Sequence, residues 1–226
     1  MNKKIFPVVA LLLTAVLFCC GVRAEEIRKV LVIGNSIMKH GAAPQLGWNT
    51  DWGMAATAEE KDYAHLLHRK ISETAKQAKA PELQLARIAD EKHMLGWDKL
   101  KNSGADVIVI QVSDNYRGKQ TREVFQKNYE QMIRDLRGDG NPIIVCVTNW
   151  GGPTKLTQMI REAAAANNVL FADIATPGAL PENRAGSEGH FTNGGVNWHP
   201  GDRGMAVIAD TIYAAIESAL KQKLAR

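Results

Sequence analysis

The chain has 226 residues, and its 28 Lys and Arg against 24 Asp and Glu give a formal net charge of +4. Three of the basic residues and no acid lie within residues 1–24, so the rest of the chain carries a net charge of only +1. This near balance gives no electrostatic reason to expect a nucleic acid as partner.

The first 24 residues have the layout of a secretory signal peptide. Lys3 and Lys4 precede an apolar run over residues 8–20, and residues 22–24 (Val-Arg-Ala) resemble a cleavage site. The run is shorter than the ~20 apolar residues that cross a bilayer. We therefore predict a signal peptide over residues 1–24 and export to the periplasm or the cell exterior, without stable membrane insertion. Lipoprotein anchoring at Cys19 or Cys20 is disfavoured, because no small residue precedes either cysteine.

Residues 25–226 suit a single domain, since roughly 200 residues are enough to bury one sizeable core. Cys146 is the one cysteine in this range, so the range can form no internal disulfide. Cys146 lies in an apolar run, which predicts a buried, small hydrophobic side chain.

Strands and helices alternate along residues 25–226. The apolar pattern predicts strands at 29–34, 82–89, 106–112, 143–148 and 169–174. Helical spacing predicts helices at 59–78, 95–101, 121–137, 156–166 and 203–224, with a long Gly- and Pro-containing loop at 176–201. The alternation favours βαβ units, and so a parallel sheet with helices on both faces.

Ligands of such sheets bind beyond the carboxyl ends of the strands, which selects a few polar residues. Ser36 follows the first predicted strand, residues 113–116 follow the third, and His199 lies in the loop before the last helix. Ser36 fits a nucleophile or a helix-capping serine. His199 fits a general base or a loop histidine that packs beside Trp198.

Several other site types are disfavoured. The G-x-S-x-G elbow, the Walker phosphate loop and a G-x-G-x-x-G turn after the first strand are all missing from the sequence. His65 and His68 lie three residues apart on a predicted helix and could share a metal, but no nearby Cys or His completes a ligand set. We therefore predict no metal and no cofactor.

Four separated blocks together resemble the SGNH (GDSL-like) hydrolase family of serine esterases. They span most of residues 25–226 and stand in the family's order: Gly34-Asn35-Ser36 for the usual G-D-S, Gly53 for the second-block glycine, Ser113-Asp114-Asn115-Tyr116 for G-x-N-D, and His199-Pro200 for the end of D-x-x-H. The departures at Asn35, Ser113 and Tyr116 are peripheral to the expected chemistry.

The resemblance implies a flavodoxin-like, three-layer α/β/α fold with a five-stranded parallel sheet. It implies that Ser36 attacks an ester carbonyl while His199 takes its proton. It also implies an oxyanion hole formed by the backbone N–H groups of Ser36 and Gly53 and by the side-chain amide of Asn115.

The last block departs from the family where the triad acid is expected, three residues before His199. The chain has Val196 there. Two replacements are open: the Val196 carbonyl oxygen accepts the Nδ1 proton of His199, giving a Ser–His dyad, or an acid elsewhere, Glu188 or Asp202, reaches the imidazole. Asp202 also fits a cap of the final helix.

Tryptophans cluster beside the predicted site: Trp48, Trp52, Trp150 and Trp198. They fit loop anchors, or a surface on which Trp52, Trp150 and Trp198 stack against a sugar ring. The leading hypothesis is therefore an esterase whose substrate is an acylated glycan or small molecule, and which removes acetyl groups from carbohydrate. The alternatives are a lipid or aryl esterase or thioesterase, and a catalytically inactive SGNH domain that binds glycans.

Overall fold

The computed structural model describes residues 25–116 and 121–226, so the predicted signal peptide lies outside the described residues and stays a prediction. Five strands form one sheet: β1 (Lys29–Ile33), β2 (Glu82–Ala86), β3 (Val107–Ile110), β4 (Ile143–Val147) and β5 (Leu170–Ala172). All four pairings are parallel, in the order β2-β1-β3-β4-β5. This is the flavodoxin-like order, and the predicted five-stranded parallel sheet is confirmed.

Apolar side chains alternate between the two faces of the sheet, as the pleat of a strand requires. Val30 and Val32 of β1 lie in one buried cluster, and Leu31 and Ile33 lie in another. Both faces of the sheet centre are therefore covered, which explains why β1, β3 and β4 are nearly continuous apolar runs, whereas the edge strand β2 alternates apolar with polar residues.

Helices form the two outer layers. On one face of the sheet lie α1 (Tyr63–Ala75) and a long C-terminal helix, and on the other lie α2 (Arg122–Arg137) and α3 (Lys155–Ala166). Two short helices, α4 (Ala175–Gly178) and α5 (Gly194–Trp198), precede the long helix, α6 (Asp202–Leu224). The predicted three-layer α/β/α architecture is confirmed. Within the described ranges no helix is long and apolar enough to cross a membrane.

Two predictions of local structure were wrong. The helix expected at 95–101 is a single 3-10 turn, Asp98–Leu100, because Leu95 pairs with Asp90 in an antiparallel bridge and Gly96 has a φ of +81°. The segment 176–201, expected to be a loop, contains α5. The Asn193 side chain starts that helix by accepting hydrogen bonds from the N–H groups of Gly195 and Val196.

Cys146 lies in β4 and is fully buried, as predicted. Burial raises the pKa of its thiol to about 12, so this thiol stays protonated at neutral pH.

Candidate active site

The candidate site lies where the sheet order reverses. The chain leaves β1 toward β2 on one side, and it leaves β3 toward β4 on the other. The carboxyl ends of β1 and β3 therefore open a crevice between diverging connections, which is where ligands bind in open α/β sheets. Ser36 follows β1, and residues 113–115 follow β3.

A tight turn presents Ser36 at the end of β1. The Asn35 side-chain oxygen accepts the Ile37 N–H at 3.0 Å, and the Asn35 backbone oxygen accepts the Lys39 N–H at 2.9 Å. Gly34 permits this turn, because a Cβ there would lie 2.6 Å from the Cβ of Met38. Among the described residues the Ser36 N–H has no hydrogen-bond partner, so it remains available to a ligand.

His199 faces Ser36 from the other side of the crevice. Its Nε2 lies 2.8 Å from Ser36 Oγ, and its Nδ1 lies 2.8 Å from the backbone oxygen of Gly195. A carbonyl oxygen can only accept, so Nδ1 must carry the proton of the neutral ring. Nε2 is then unprotonated and can accept the proton of the Ser36 hydroxyl.

The Nδ1 acceptor is a backbone carbonyl, but it is not the predicted one. The expectation that the Val196 oxygen accepts from Nδ1 was wrong. The Val196 oxygen instead accepts the backbone N–H of His199 at 3.0 Å. His199 caps the C-terminus of the short helix α5, so the Gly195 carbonyl, one residue earlier, is the one left free to face the ring.

The surroundings of the half-buried His199 favour its neutral form. Desolvation lowers its pKa below the ordinary 6.5, the hydrogen bond to the Gly195 carbonyl opposes this, and the charge of His40 lowers the pKa further. The result is a ring that is neutral at physiological pH, as a general base must be.

Neither candidate acid reaches His199. The Glu188 carboxylate accepts the N–H groups of Asp202 and Arg203, both at 3.0 Å, and so caps helix α6. The Asp202 carboxylate instead accepts the N–H and hydroxyl of Thr57 and pairs with Lys61 at 2.7 Å. The prediction that Asp202 caps α6 was therefore wrong: Glu188 is the cap, because the Asp202 side chain turns toward the loop that holds Thr57.

Asn115 is held beside the crevice by a buried carboxylate. Its Nδ2 donates to Glu91 Oε2 at 2.9 Å, and its backbone N–H lies 3.3 Å from Glu91 Oε1. Ser113 donates its N–H to the same Oε1 at 2.8 Å. Ser113 has a φ of +111°, in the region that favours glycine, at the position where the SGNH pattern has glycine.

A second acid, the half-buried Asp114, lies beside Glu91. Its carboxylate accepts hydrogen bonds from Asn35 Nδ2, Gln111 Nε2 and the Trp150 N–H, at 2.7 to 2.9 Å. Burial, with a contribution from the Glu91 charge, raises the pKa of Asp114 to about 6. Asn35 Nδ2 also donates to Glu91 at 3.1 Å. An aspartate at position 35 would place a third carboxylate against these two, so an amide suits this position better.

Gly53 is close to the turn that holds Ser36, but its N–H is directed elsewhere. It donates to Asp62 Oδ2 at 3.3 Å, while the next N–H, of Met54, bonds the Ser36 oxygen at 2.9 Å. A Cβ at Gly53 would lie 2.7 Å from the Ile37 oxygen, so close packing explains the glycine. A role for the Gly53 N–H in an oxyanion hole stays a prediction, and it would require exchange of the Asp62 partner.

The three candidate stacking tryptophans differ in exposure. Trp150 is 2% exposed, and its Nε1 donates to the Trp198 oxygen, so it anchors the site and offers no free face for a sugar. Trp52 is half-buried, and its Nε1 donates to Ala56. Trp198 is 38% exposed and stands edge-on to His199, with 5.5 Å between ring centroids. Of these three, only Trp198 combines exposure with contact to His199, the candidate base.

His65 and His68 do not share a site. His65 Nδ1 lies 2.9 Å from Asp62 Oδ1, and His68 Nε2 lies 2.8 Å from the Pro81 oxygen. Across residues 25–116 and 121–226 no group of three or more His, Cys, Asp or Glu is arranged to hold a metal ion.

Two residues of the candidate site, Gly195 and Glu91, were not predicted from the sequence. Gly195 has no reactive side chain, although Asn193, a good helix N-cap, signalled the short helix that aims its carbonyl. Glu91 lies in an irregular loop that contains other acids, and no spacing rule separates it from them.

Comparison with known proteins gives matches by structure alone. No family model matches the sequence, and no curated protein matches it. A two-domain esterase (CEX) active on acetylated mannans superimposes with a TM-score of 0.58 at 18% identity, over 88% of this chain and 50% of the other. A family two carbohydrate esterase from Cellvibrio japonicus gives 0.59 at 15% identity, over 89% and 63%. TesA gives 0.54 at 15% identity, over 84% and 99%.

These matches establish the fold. The chain has the SGNH (GDSL-like) hydrolase fold, and the resemblance drawn from its four sequence blocks is confirmed at that level. The chain spans about half the length of the mannan esterase, so that protein's activity does not transfer with the fold.

Proposed function

We propose that this protein is an exported serine esterase that uses a Ser36–His199 dyad. The observation that carries the proposal is the pair of 2.8 Å contacts on either side of the imidazole, to Ser36 Oγ and to the Gly195 oxygen. The carbonyl fixes the tautomer in which Nε2 can accept a proton.

The reaction proceeds in two steps. Ser36 Oγ attacks the acyl carbon while its proton passes to His199 Nε2, and the imidazolium then protonates the leaving alcohol. Water attacks the acyl-enzyme by the same route and releases the acid. The free Ser36 N–H and the Asn115 amide are the donors available to the oxyanion. The carbonyl partner brings a dipole but no full charge, so it stabilises the imidazolium less than a carboxylate would.

The proposed substrate is an acetylated carbohydrate. Trp198 supports it, because an exposed indole beside His199 suits stacking on the apolar face of a sugar. The fold match to an esterase active on acetylated mannans points the same way. Gly151 backs the Trp198 ring, since a Cβ there would lie 2.8 Å from it, and this packing keeps the ring in place.

Acetate release from p-nitrophenyl acetate and from acetylated mannan tests both parts. Residues 25–226 should hydrolyse both substrates, and Ser36→Ala should abolish release. Trp198→Ala should raise KM for the mannan roughly tenfold and leave p-nitrophenyl acetate nearly unchanged, because the backbone contact to Trp150 survives. If the folded protein binds mannan but releases no acetate, the esterase proposal is wrong and the protein is a glycan-binding domain. If Trp198→Ala affects both substrates equally, the proposal that Trp198 binds a sugar ring is wrong.

A further inference from the structure

Glu91 is a buried carboxylate that forms no ion pair with a base among residues 25–116 and 121–226. It is 9% exposed, and no Lys, Arg or His of the described ranges forms an ion pair with it. Burying an unpaired carboxylate costs several kcal/mol unless hydrogen bonds replace the lost water. The fold meets that requirement with four donors, all beside the candidate site.

The two oxygens of Glu91 have different partners. Oε1 accepts from Asn35 Nδ2 at 3.1 Å, from the Ser113 N–H at 2.8 Å and from the Asn115 N–H at 3.3 Å. Within the described part of the chain, Oε2 accepts from Asn115 Nδ2 alone, at 2.9 Å. Oε1 therefore ties the turn after β1 to the turn after β3, while Oε2 orients one side-chain amide.

That amide has a second N–H. A primary amide carries two donors, and the bond to Oε2 uses one of them. The bond is charge-assisted, so it holds the plane of the amide more strongly than a neutral acceptor would. The other N–H of Asn115 then points in a fixed direction, as preorganised oxyanion stabilisation requires.

The strained backbone at Ser113 is independent support. A non-glycine residue at a φ of +111° costs roughly 1–3 kcal/mol, and such strain persists where the surroundings impose it. The Ser113 N–H donates to Glu91 Oε1 at 2.8 Å, so Glu91 contacts the strained residue directly.

We propose that Glu91 is a positioning residue that orients the Asn115 amide as an oxyanion donor. The inference rests on the proposed esterase function. Glu91 does not touch the substrate, and its effect passes through Asn115.

Glu91→Gln isolates this effect. The glutamine oxygen takes the Oε1 position, where three donors converge, so its NH₂ replaces Oε2 and faces the Asn115 NH₂. The loop contacts survive and the Asn115 contact is lost. We expect kcat for p-nitrophenyl acetate to fall roughly 10- to 100-fold, with KM changed less than about twofold. Glu217→Gln, a surface change in α6, is the matched control and should keep full activity.

A double-mutant cycle separates positioning from general loosening. Asn115→Ala should cost about 100-fold. Adding Glu91→Gln to it should change kcat less than about threefold, because the group on which Glu91 acts is gone. A full additive loss in the double variant, or wild-type kcat in Glu91→Gln alone, overturns the proposal.

A measurement without turnover distinguishes this inference from the esterase proposal. In a ¹⁵N–¹H spectrum the Asn115 side-chain amide, assigned by its loss in Asn115→Ala, should show two widely separated proton shifts that converge in Glu91→Gln. Unchanged shifts overturn the orienting role even in an active enzyme. If the two proton shifts converge in Glu91→Gln but the wild-type protein hydrolyses no ester, the contact between Glu91 and Asn115 is confirmed. The oxyanion role of Asn115 and the esterase proposal are then both wrong.

Discussion

Glu188→Ala tests whether Glu188 is a helix cap or the missing triad acid. The structure makes it a cap, since its carboxylate accepts both the Asp202 and Arg203 N–H groups at the start of α6. Losing a capping acceptor costs about 1 kcal/mol, and losing the negative charge at a helix N-terminus adds roughly 0.3–1 kcal/mol. With two bonds lost, we expect the free energy of unfolding to fall by about 2 kcal/mol.

Urea unfolding and thermal melting measure that cost. For a domain of this size the loss corresponds to a fall in Tm of about 4–8 °C. Below the transition, kcat/KM for p-nitrophenyl acetate should remain within about threefold of wild type, because the His199 partner is the Gly195 carbonyl. Glu182→Ala, an exposed neighbour, is the control. A loss of several hundredfold in a folded Glu188→Ala protein would refute the dyad and identify Glu188 as the acid.

Two further predictions concern pH. Because burial lowers the pKa of His199, kcat/KM should stay high as pH falls to 6.5 and drop only below it, where the ring gains its proton. A fall in kcat/KM that is centred above pH 6.5 would instead indicate a carboxylate partner for His199. The pKa of Asp114 is raised from 3.8 to about 6 in the folded protein, so the folded state binds more protons than the unfolded state between these values. The free energy of unfolding should therefore fall as pH rises from about 4 to 7, by at most about 3 kcal/mol. Asp114→Asn should flatten that slope in urea titrations, and an unchanged slope would contradict the assignment.

The layers and the crevice were predictable from the sequence. Continuous apolar runs such as Ile143–Val147 are typical of strands buried on both faces, and alternation with helices leads to a parallel sheet. Because ligands bind at the carboxyl ends of such strands, the sequence alone indicated Ser36 and residues 113–115 as candidate site residues. The pair Ser36 and His199 followed from the order of the motifs, 163 residues apart.

Local detail was less predictable where backbone pairing overrides helical spacing. Residues 95–101 have apolar spacing that fits a helix, yet the bridge between Asp90 and Leu95 holds part of them extended. Such a bridge depends on which segments meet in space, and a local pattern carries no information about it.

The sequence by itself therefore predicted the class of fold and the candidate nucleophile and base, because hydrophobic periodicity and the order of motifs can be read from the chain alone. Only the tertiary structure decided which groups hold them. The Nδ1 acceptor is Gly195 rather than Val196 because the geometry of one short helical turn assigns each carbonyl its donor. Glu91 became visible only when chain segments 56 and 24 residues away, at Asn35 and Asn115, folded onto it. A hydrogen bond requires placement within a few tenths of an ångström, and that precision comes from packing.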